Sequence, residues 1–189
     1  MKTVLGIDPS LSCTGLAIVS GGQLRDAGVV KGGDLRGAER LAHIYDGVTT
    51  WLQRLPHLDV SVAIEGYAFG AQNQREALGE AGGVIRLAVY RRGLPYVDLA
   101  PASWQSQLLG KPVEKLLRGV QLTQRYAELI GQTEFETFDA LEAFAIALAG
   151  WQRAEGNYEP PARKPKRKVK FVGPSELMRQ SAKVGKTSA

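Results

Sequence analysis

Apolar positions in the first thirty residues cluster and alternate as extended chain does. Residues 2–8 and 14–20 are two β-branched, apolar runs, joined by a polar stretch from Pro9 through Cys13. Gly21-Gly22 is a tight-hairpin signal, and residues 23–30 continue as a third antiparallel strand. The period then changes. Leu41, Ile44, Val48, Leu52 and Leu55 fall at helical spacing, which predicts a helix over residues 35–55, stopped by Pro56. Asp59 to Ile64 is a short buried-type strand that ends on Glu65. Residues 74–92 predict a second helix in spite of Gly79, Gly82 and Gly83. Each glycine costs about 1 kcal/mol relative to alanine, so either another backbone packs closely there or the helix is interrupted. Leu94 to Leu99 is a fifth strand, and Pro101 opens a short helix that runs to Leu109. Beyond the break at Gly110-Lys111-Pro112, helices are predicted over residues 113–130 and 136–150.

Three meander strands followed by strands with helical crossovers specify an α/β fold, a five-stranded mixed sheet with helices on both faces. After Trp151 the pattern stops. The run from Glu159 through Lys168 has no apolar periodicity and is expected to be disordered, and Phe171 to Met178 is a candidate short docking segment. The expected organisation is a folded domain over residues 1–150 and a basic tail over 151–189.

Charge sharpens this division. The chain of 189 residues has a net charge of +5, but residues 151–189 hold ten Lys/Arg against three acids, whereas residues 1–150 are slightly acidic. A basic tail such as Arg163 to Lys170, with Lys164, Lys166, Arg167 and Lys168 at its centre, suits a polyanion and would add sequence-independent, salt-sensitive affinity. The single cysteine, Cys13, excludes an internal disulfide or a thiolate cluster, and two histidines argue against zinc. His43 and His57 are assigned no role. No apolar run approaches the roughly 18 residues of a membrane span, and the N-terminus lacks the layout of a signal peptide. A cytoplasmic protein without a membrane partner is expected.

The candidate chemistry is acidic. Asp8 ends the first apolar run, Glu65 ends the fourth strand, and Asp139 and Glu142 lie three residues apart, on one face of the last helix. Ala143, Ala145, Ala147 and Ala149 keep that helix thin enough to lie close to a sheet. Each acid alone has an ordinary reading as a turn residue, a strand end or a solvated helix face. Together they can bracket a pair of hard divalent ions such as Mg²⁺, with Mn²⁺ as substitute, about 4 Å apart. Lys111 and Lys115 precede this helix and are candidates to contact a phosphate. Arg75 and Arg86 are candidates to track a nucleic-acid backbone, and Gln72 and Asn73 belong to a polar loop suited to bases or to solvent. Trp104 reads as core.

Gly6-Ile7-Asp8-Pro9-Ser10 with Thr14-Gly15, then Ile64-Glu65, then Asp139-Ala140-Leu141-Glu142-Ala143, resemble the motifs of RuvC-type Holliday-junction resolvases of the RNase H-like superfamily. Similar spacing holds over about residues 3–150, including Arg40 to Val48 and Pro101 to Gln105. The resemblance implies an RNase H-like fold and metal-dependent endonucleolytic resolution of four-way junctions by paired symmetric nicks that leave 5′-phosphates. It also implies a homodimer. Asp8, Glu65, Asp139 and Glu142 would be ligands to two ions, and Lys115 would assist catalysis. Two departures stand out. The family's final pair is usually two aspartates, so Glu142 is one methylene longer. The family's wedge aromatic is flanked here by Tyr67 and Phe69, either of which could serve. Alternative functions are a broader nuclease acting on flaps and forks, or a non-catalytic branched-DNA binder. An actin-like ATPase begins similarly but needs a second such domain.

Overall fold

The computed structural model describes residues 1–56, 58–66 and 75–158. Five strands form one sheet: β1 (Thr3–Asp8), β2 (Cys13–Ser20), β3 (Gln23–Lys31), β4 (Val60–Glu65) and β5 (Tyr96–Leu99). Their order is β3-β2-β1-β4-β5. The first three pair antiparallel, and β1, β4 and β5 pair parallel. The hairpin glycines Gly21 and Gly22 both take positive φ, which the turn between β2 and β3 requires. Helices α1 (Gly37–Gln53) and α2 (Arg75–Arg91) are the crossovers from β3 to β4 and from β4 to β5. They are followed by α3 (Pro101–Leu109), α4 (Lys115–Arg125), α5 (Ala127–Ile130) and α6 (Phe138–Ala154). The expected mixed α/β architecture is the one found.

Strand periodicity sorts side chains between two cores. Leu5, Ile7, Leu16, Ile18, Val62 and Ile64 pack under α1 and α2 with Ile44, Val48, Leu52, Ile85 and Val89. The alternate positions Val4, Ala17, Val19 and Ala63 pack against α6, whose outer side is covered by α3, α4 and α5 through Trp104, Leu108, Leu122 and Ile130. Because β1 alternates, Asp8 must point to the α6 side, as does Glu65 on β4.

Helix α6 is buried without interruption from Ala140 to Gly150, as befits a helix enclosed between a sheet and a second helical layer. It lies on the sheet backbone to backbone. A Cβ placed on Gly6 would overlap the Ala143 carbonyl and the Ala147 nitrogen, and one on Gly15 would overlap the Asp139 carbonyl. At the far end a Cβ on Gly150 would lie 2.7 Å from the Ala63 Cβ. The helix starts cleanly because the Thr137 hydroxyl accepts a hydrogen bond from the Ala140 N–H at 3.3 Å.

Three elements differ from expectation. Helix α2 runs unbroken through its glycines, and Gly79 and Gly83 meet no neighbour within 4 Å among the described residues, so neither interruption nor close packing against those residues explains these two. The single helix expected over 113–130 is divided at Tyr126, whose backbone leaves helical geometry while its hydroxyl donates to the Leu108 carbonyl at 2.9 Å. A tertiary anchor of that kind has no periodic signature. The last helix also extends to Ala154, four residues past the expected domain boundary.

Gly15→Ala is expected to destabilise the fold by about 2–3 kcal/mol, the scale of forcing atoms into a filled space. Urea unfolding measures this, and an unchanged midpoint would show that α6 is not seated on β2 as described.

Candidate metal centre

The carboxyl ends of β1 and β4 meet the first turns of α6, and all four candidate acids converge there. Asp8 and Glu65 follow directly on the paired residues Ile7 and Ile64 of neighbouring strands. Asp139 and Glu142 descend from α6, with Asp139 in its first turn, where the helix dipole favours a negative charge. One oxygen each from Asp8, Asp139 and Glu142 lie within 4.8 Å of one another. Glu65 stands just beside this trio and is hydrogen-bonded to Asp8.

The loop that carries Asp8 is braced. Thr14, fully buried, donates its hydroxyl to the Ser10 carbonyl at 2.7 Å and accepts from the Ser10 N–H at 3.3 Å. Across the strand pair Asp8 faces Gly15, so no side chain separates it from the backbone of α6. Glu65 is held from below: the Trp104 indole N–H donates to its Oε1 at 2.9 Å. Trp104 is a core residue, as expected, but its polar edge belongs to the site.

Crowding of like charges away from water dominates the electrostatics. Burial, followed by repulsion from Glu65, Glu142 and Asp139, holds the Asp8 carboxyl well above the usual carboxylate range. Burial pushes Glu142 up to about 7, opposed by Arg118 and Lys115 and reinforced by Glu65 and Asp139. Glu65 is also raised by burial, although the Trp104 and Asp8 hydrogen bonds and the nearby cations counteract it. The Asp8–Glu65 bond favours a proton on Asp8 and a charge on Glu65. Cys13, beside Asp139, has its thiol pushed up chiefly by burial.

Two cations from α4 border the acids in different ways. Lys115 is mostly exposed; its Nζ is 3.7 Å from Asp139 Oδ1, 4.0 Å from Glu142 Oε2 and 4.8 Å from the centre of the Phe138 ring. Arg118 is nearly enclosed and makes a direct ion pair with Glu142. Sequence reasoning missed Arg118, although its position one helical turn after Lys115 was a signal that both reach the same face.

The other expected site residues lie elsewhere. Lys111 is exposed in the break before α4 and has no ion pair with the acids among the described residues. Arg86 is paired with Asp98 at 2.6 Å. Tyr67, Phe69, Gln72, Asn73, Lys164, Lys166, Arg167 and Lys168 fall outside the described residues, as does His57; Arg75 is described only as the first residue of α2.

The family model for the crossover junction endodeoxyribonuclease RuvC matches residues 4–150, a span that contains every element from β1 to the body of α6. The chain belongs to the RuvC family. The crossover junction endodeoxyribonuclease RuvC of Nocardia farcinica is 35% identical over 161 residues, covering 80% of this chain and 82% of that protein. The RuvC of a Parafrankia species is 34% identical over 176 residues, covering 86% and 95%. Among solved structures, T. thermophilus RuvC in complex with a Holliday junction substrate superposes with a TM-score of 0.68 at 26% identity, covering 85% of this chain and 99% of that one. This agreement makes the fold RNase H-like, as the motifs implied.

In a RuvC-type nuclease such a cluster indicates dependence on divalent metal, and the donor set fits one. The clustered ligand atoms are all hard carboxylate oxygens, with neither histidine nor thiolate among them. The raised proton affinity of Asp8 and Glu142 marks buried negative charge that the protein's own cations leave incompletely balanced. No described helix is long and apolar enough to cross a membrane.

A pH dependence follows. Folded Asp8, Glu65 and Glu142 hold protons more tightly than in the unfolded chain, so their burial is tolerated below ordinary carboxylate values. It then costs stability as pH rises from near 4.5 through about 7. In EDTA at pH 8, Asp8→Asn should raise Tm by about 2–4 °C, equivalent to roughly 1 kcal/mol in a chain of this size. Mn²⁺ should raise the Tm of the native chain and leave Asp8→Asn nearly unmoved. A lower Tm for Asp8→Asn in EDTA would contradict the repulsion described.

Proposed function

We propose that this chain is a metal-dependent endonuclease that resolves four-way DNA junctions by paired symmetric nicks, leaving 5′-phosphates. The observation that carries this reading is the convergence of four largely buried carboxylates at one end of the sheet, in a chain of the RuvC family. Asp8, Glu65, Asp139 and Glu142 would hold two Mg²⁺ ions, with Mn²⁺ as substitute. Bound there, such ions supply a polarised water for in-line attack and charge neutralisation at the leaving 3′ oxygen.

The chain's own groups do the remaining work. The sheet fixes Asp8 and Glu65 on adjacent strands, so their separation does not depend on loop order. Thr14 and Ser10 keep the Asp8 loop in one conformation. Lys115, exposed at the rim of the acid cluster, would meet an incoming phosphate oxygen as a point charge on a flexible stem. Tyr67 or Phe69 would wedge at the crossover, and Gln72, Asn73, Arg75 and Lys111 would contact DNA around it. The nuclease domain of residues 1–150 would be followed by the basic tail 151–189, the first residues of which complete α6 to Ala154.

Symmetric cuts need two copies, and α2 supports a two-fold pairing. Gly79, Gly83, Leu87 and Tyr90 follow helical spacing along one face; the two glycines are open, and Leu87 and Tyr90 are exposed. That face would let a second α2 approach closely. A cytoplasmic setting accords with this chemistry.

The decisive assay uses labelled four-way junction and matched linear duplex with Mg²⁺, Mn²⁺ or EDTA. Native protein should cut the junction only with metal, and Asp8→Asn should bind it while cutting at least about a hundredfold more slowly, the scale of removing one preorganised electrostatic group. Junction bound but uncut with either metal would favour a non-catalytic binder. Equal cutting of duplex, or of flaps and forks, would favour the broader nuclease.

Deleting residues 159–189 should weaken junction binding and flatten its salt dependence, by about 0.9 in logarithmic slope for each phosphate that the tail neutralises. An unchanged slope, measured by titration across 50–200 mM salt, would remove the tail from the DNA-binding surface.

A further inference from the structure

Arg118 is the least expected residue at the acid cluster. It projects from α4, which lies tightly against the start of α6; a Cβ on Gly119 would stand 2.6 Å from the Phe138 ring. Its side chain is only 14% exposed, against 61% for Lys115 one turn earlier. Three contacts fix the guanidinium. Nη2 donates to Glu142 Oε1, Nη1 donates to the Val113 carbonyl at 3.2 Å, and the plane is lined by the Trp104 and Phe138 rings, with centroids 5.6 and 5.7 Å away. Its Nε is buried with no hydrogen-bond partner. A guanidinium held on all sides is poorly suited to reach a substrate. It is well suited to hold another side chain still.

The group it holds is Glu142, the longest and most rotatable acid on α6. With Oε1 bound to Arg118, Oε2 remains, 4.0 Å from Lys115 Nζ, which itself stands 3.7 Å from Asp139 Oδ1 of the cluster. The same Trp104 that lines Arg118 donates to Glu65, so one aromatic residue braces both ends of the acid set. We propose that Arg118 is a positioning residue of the metal centre, tying back Glu142 Oε1 so that Oε2 is the oxygen Glu142 presents beside Asp8 and Asp139. This rests on the reading of the acids as a divalent-metal site.

A merely electrostatic cation would act in the opposite direction, because a positive charge beside a cation site weakens it. The two roles therefore separate in DNA-free Mn²⁺ titrations followed by calorimetry or by the Mn²⁺ paramagnetic resonance signal. Arg118→Gln removes the charge and the fork, and Arg118→Lys keeps the charge alone. Positioning predicts weaker Mn²⁺ binding in both, by about tenfold or more, the scale seen when a group orienting a ligand is removed. It also predicts that the same substitutions cost less than about twofold in a Glu142→Asp background, where the shorter carboxylate is withdrawn from Arg118. Tighter or unchanged binding by Arg118→Gln, or an equal loss in the Glu142→Asp background, would overturn the proposal. Near-UV circular dichroism checks each fold, and should Arg118→Gln not fold, Arg118→Lys carries the comparison. Asp8→Asn keeps the two readings apart. No binding by the native chain, or native-like binding by Asp8→Asn, overturns the metal site itself, whereas loss in Asp8→Asn alone overturns only the role of Arg118.

Discussion

Everything at this site depends on how closely one helix can approach one sheet. At Gly6 and Gly15 the backbone of α6 comes so near the first two strands that a methyl group has no room. That contact brings Asp139 and Glu142 down to the level of Asp8, a descent that side-chain length alone does not provide. It also explains the run of alanines in α6 and the small residues Ala17 and Ala63 opposite them. Bulky side chains would give a larger apolar contact but would lift the helix off the sheet and separate the acids. The fold gives up packing volume on this face and recovers it on the other, where Leu5, Ile7, Leu16, Val62 and Ile64 meet α1 and α2.

The same closeness creates an electrostatic problem that the surrounding residues only partly relieve. Acids withdrawn from water and facing one another resist ionisation, and the raised proton affinities of Asp8, Glu65 and Glu142 are the direct expression of that resistance. Relief comes from three directions. The first turn of α6 offers a favourable dipole to Asp139. Trp104 gives Glu65 a hydrogen bond without adding charge, and α4 contributes two cations of different character, Lys115 loose and Arg118 clamped. A divalent ion held by these acids would complete the neutralisation, so the features that raise their proton affinity are those that favour a metal.

Much of this was legible because it follows from short periods. The two-residue repeat of β1 and β4 places Asp8 and Glu65 on one face, and the three-residue spacing of Asp139 and Glu142 places them on one side of a helix. Ordered motifs then identified the family. What the sequence hid was tertiary. Nothing local marks Tyr126 as the point where a helix divides, since the cause is a hydrogen bond to Leu108, eighteen residues earlier. Arg118 looked like one more basic residue in an amphipathic helix, because its burial is produced by α6 and by Trp104 on α3. Trp104 was read as core, which is correct for its ring and incomplete for its indole N–H. The unbroken α2 defied a local penalty of about 1 kcal/mol per glycine, which tertiary packing of Ala81, Ile85 and Val89 overrides.

The distribution of the acids along the chain has a consequence for how the protein is made. Asp8 emerges from the ribosome well before Asp139 and Glu142, which arrive only after α5 is complete. The sheet strands can pair earlier, but the charged trio is assembled only when α6 closes against β1 and β2. A nascent or truncated chain therefore lacks half of its acids and the helix that seals them. The acids of the site come together only after α6 has been made and has closed on the sheet.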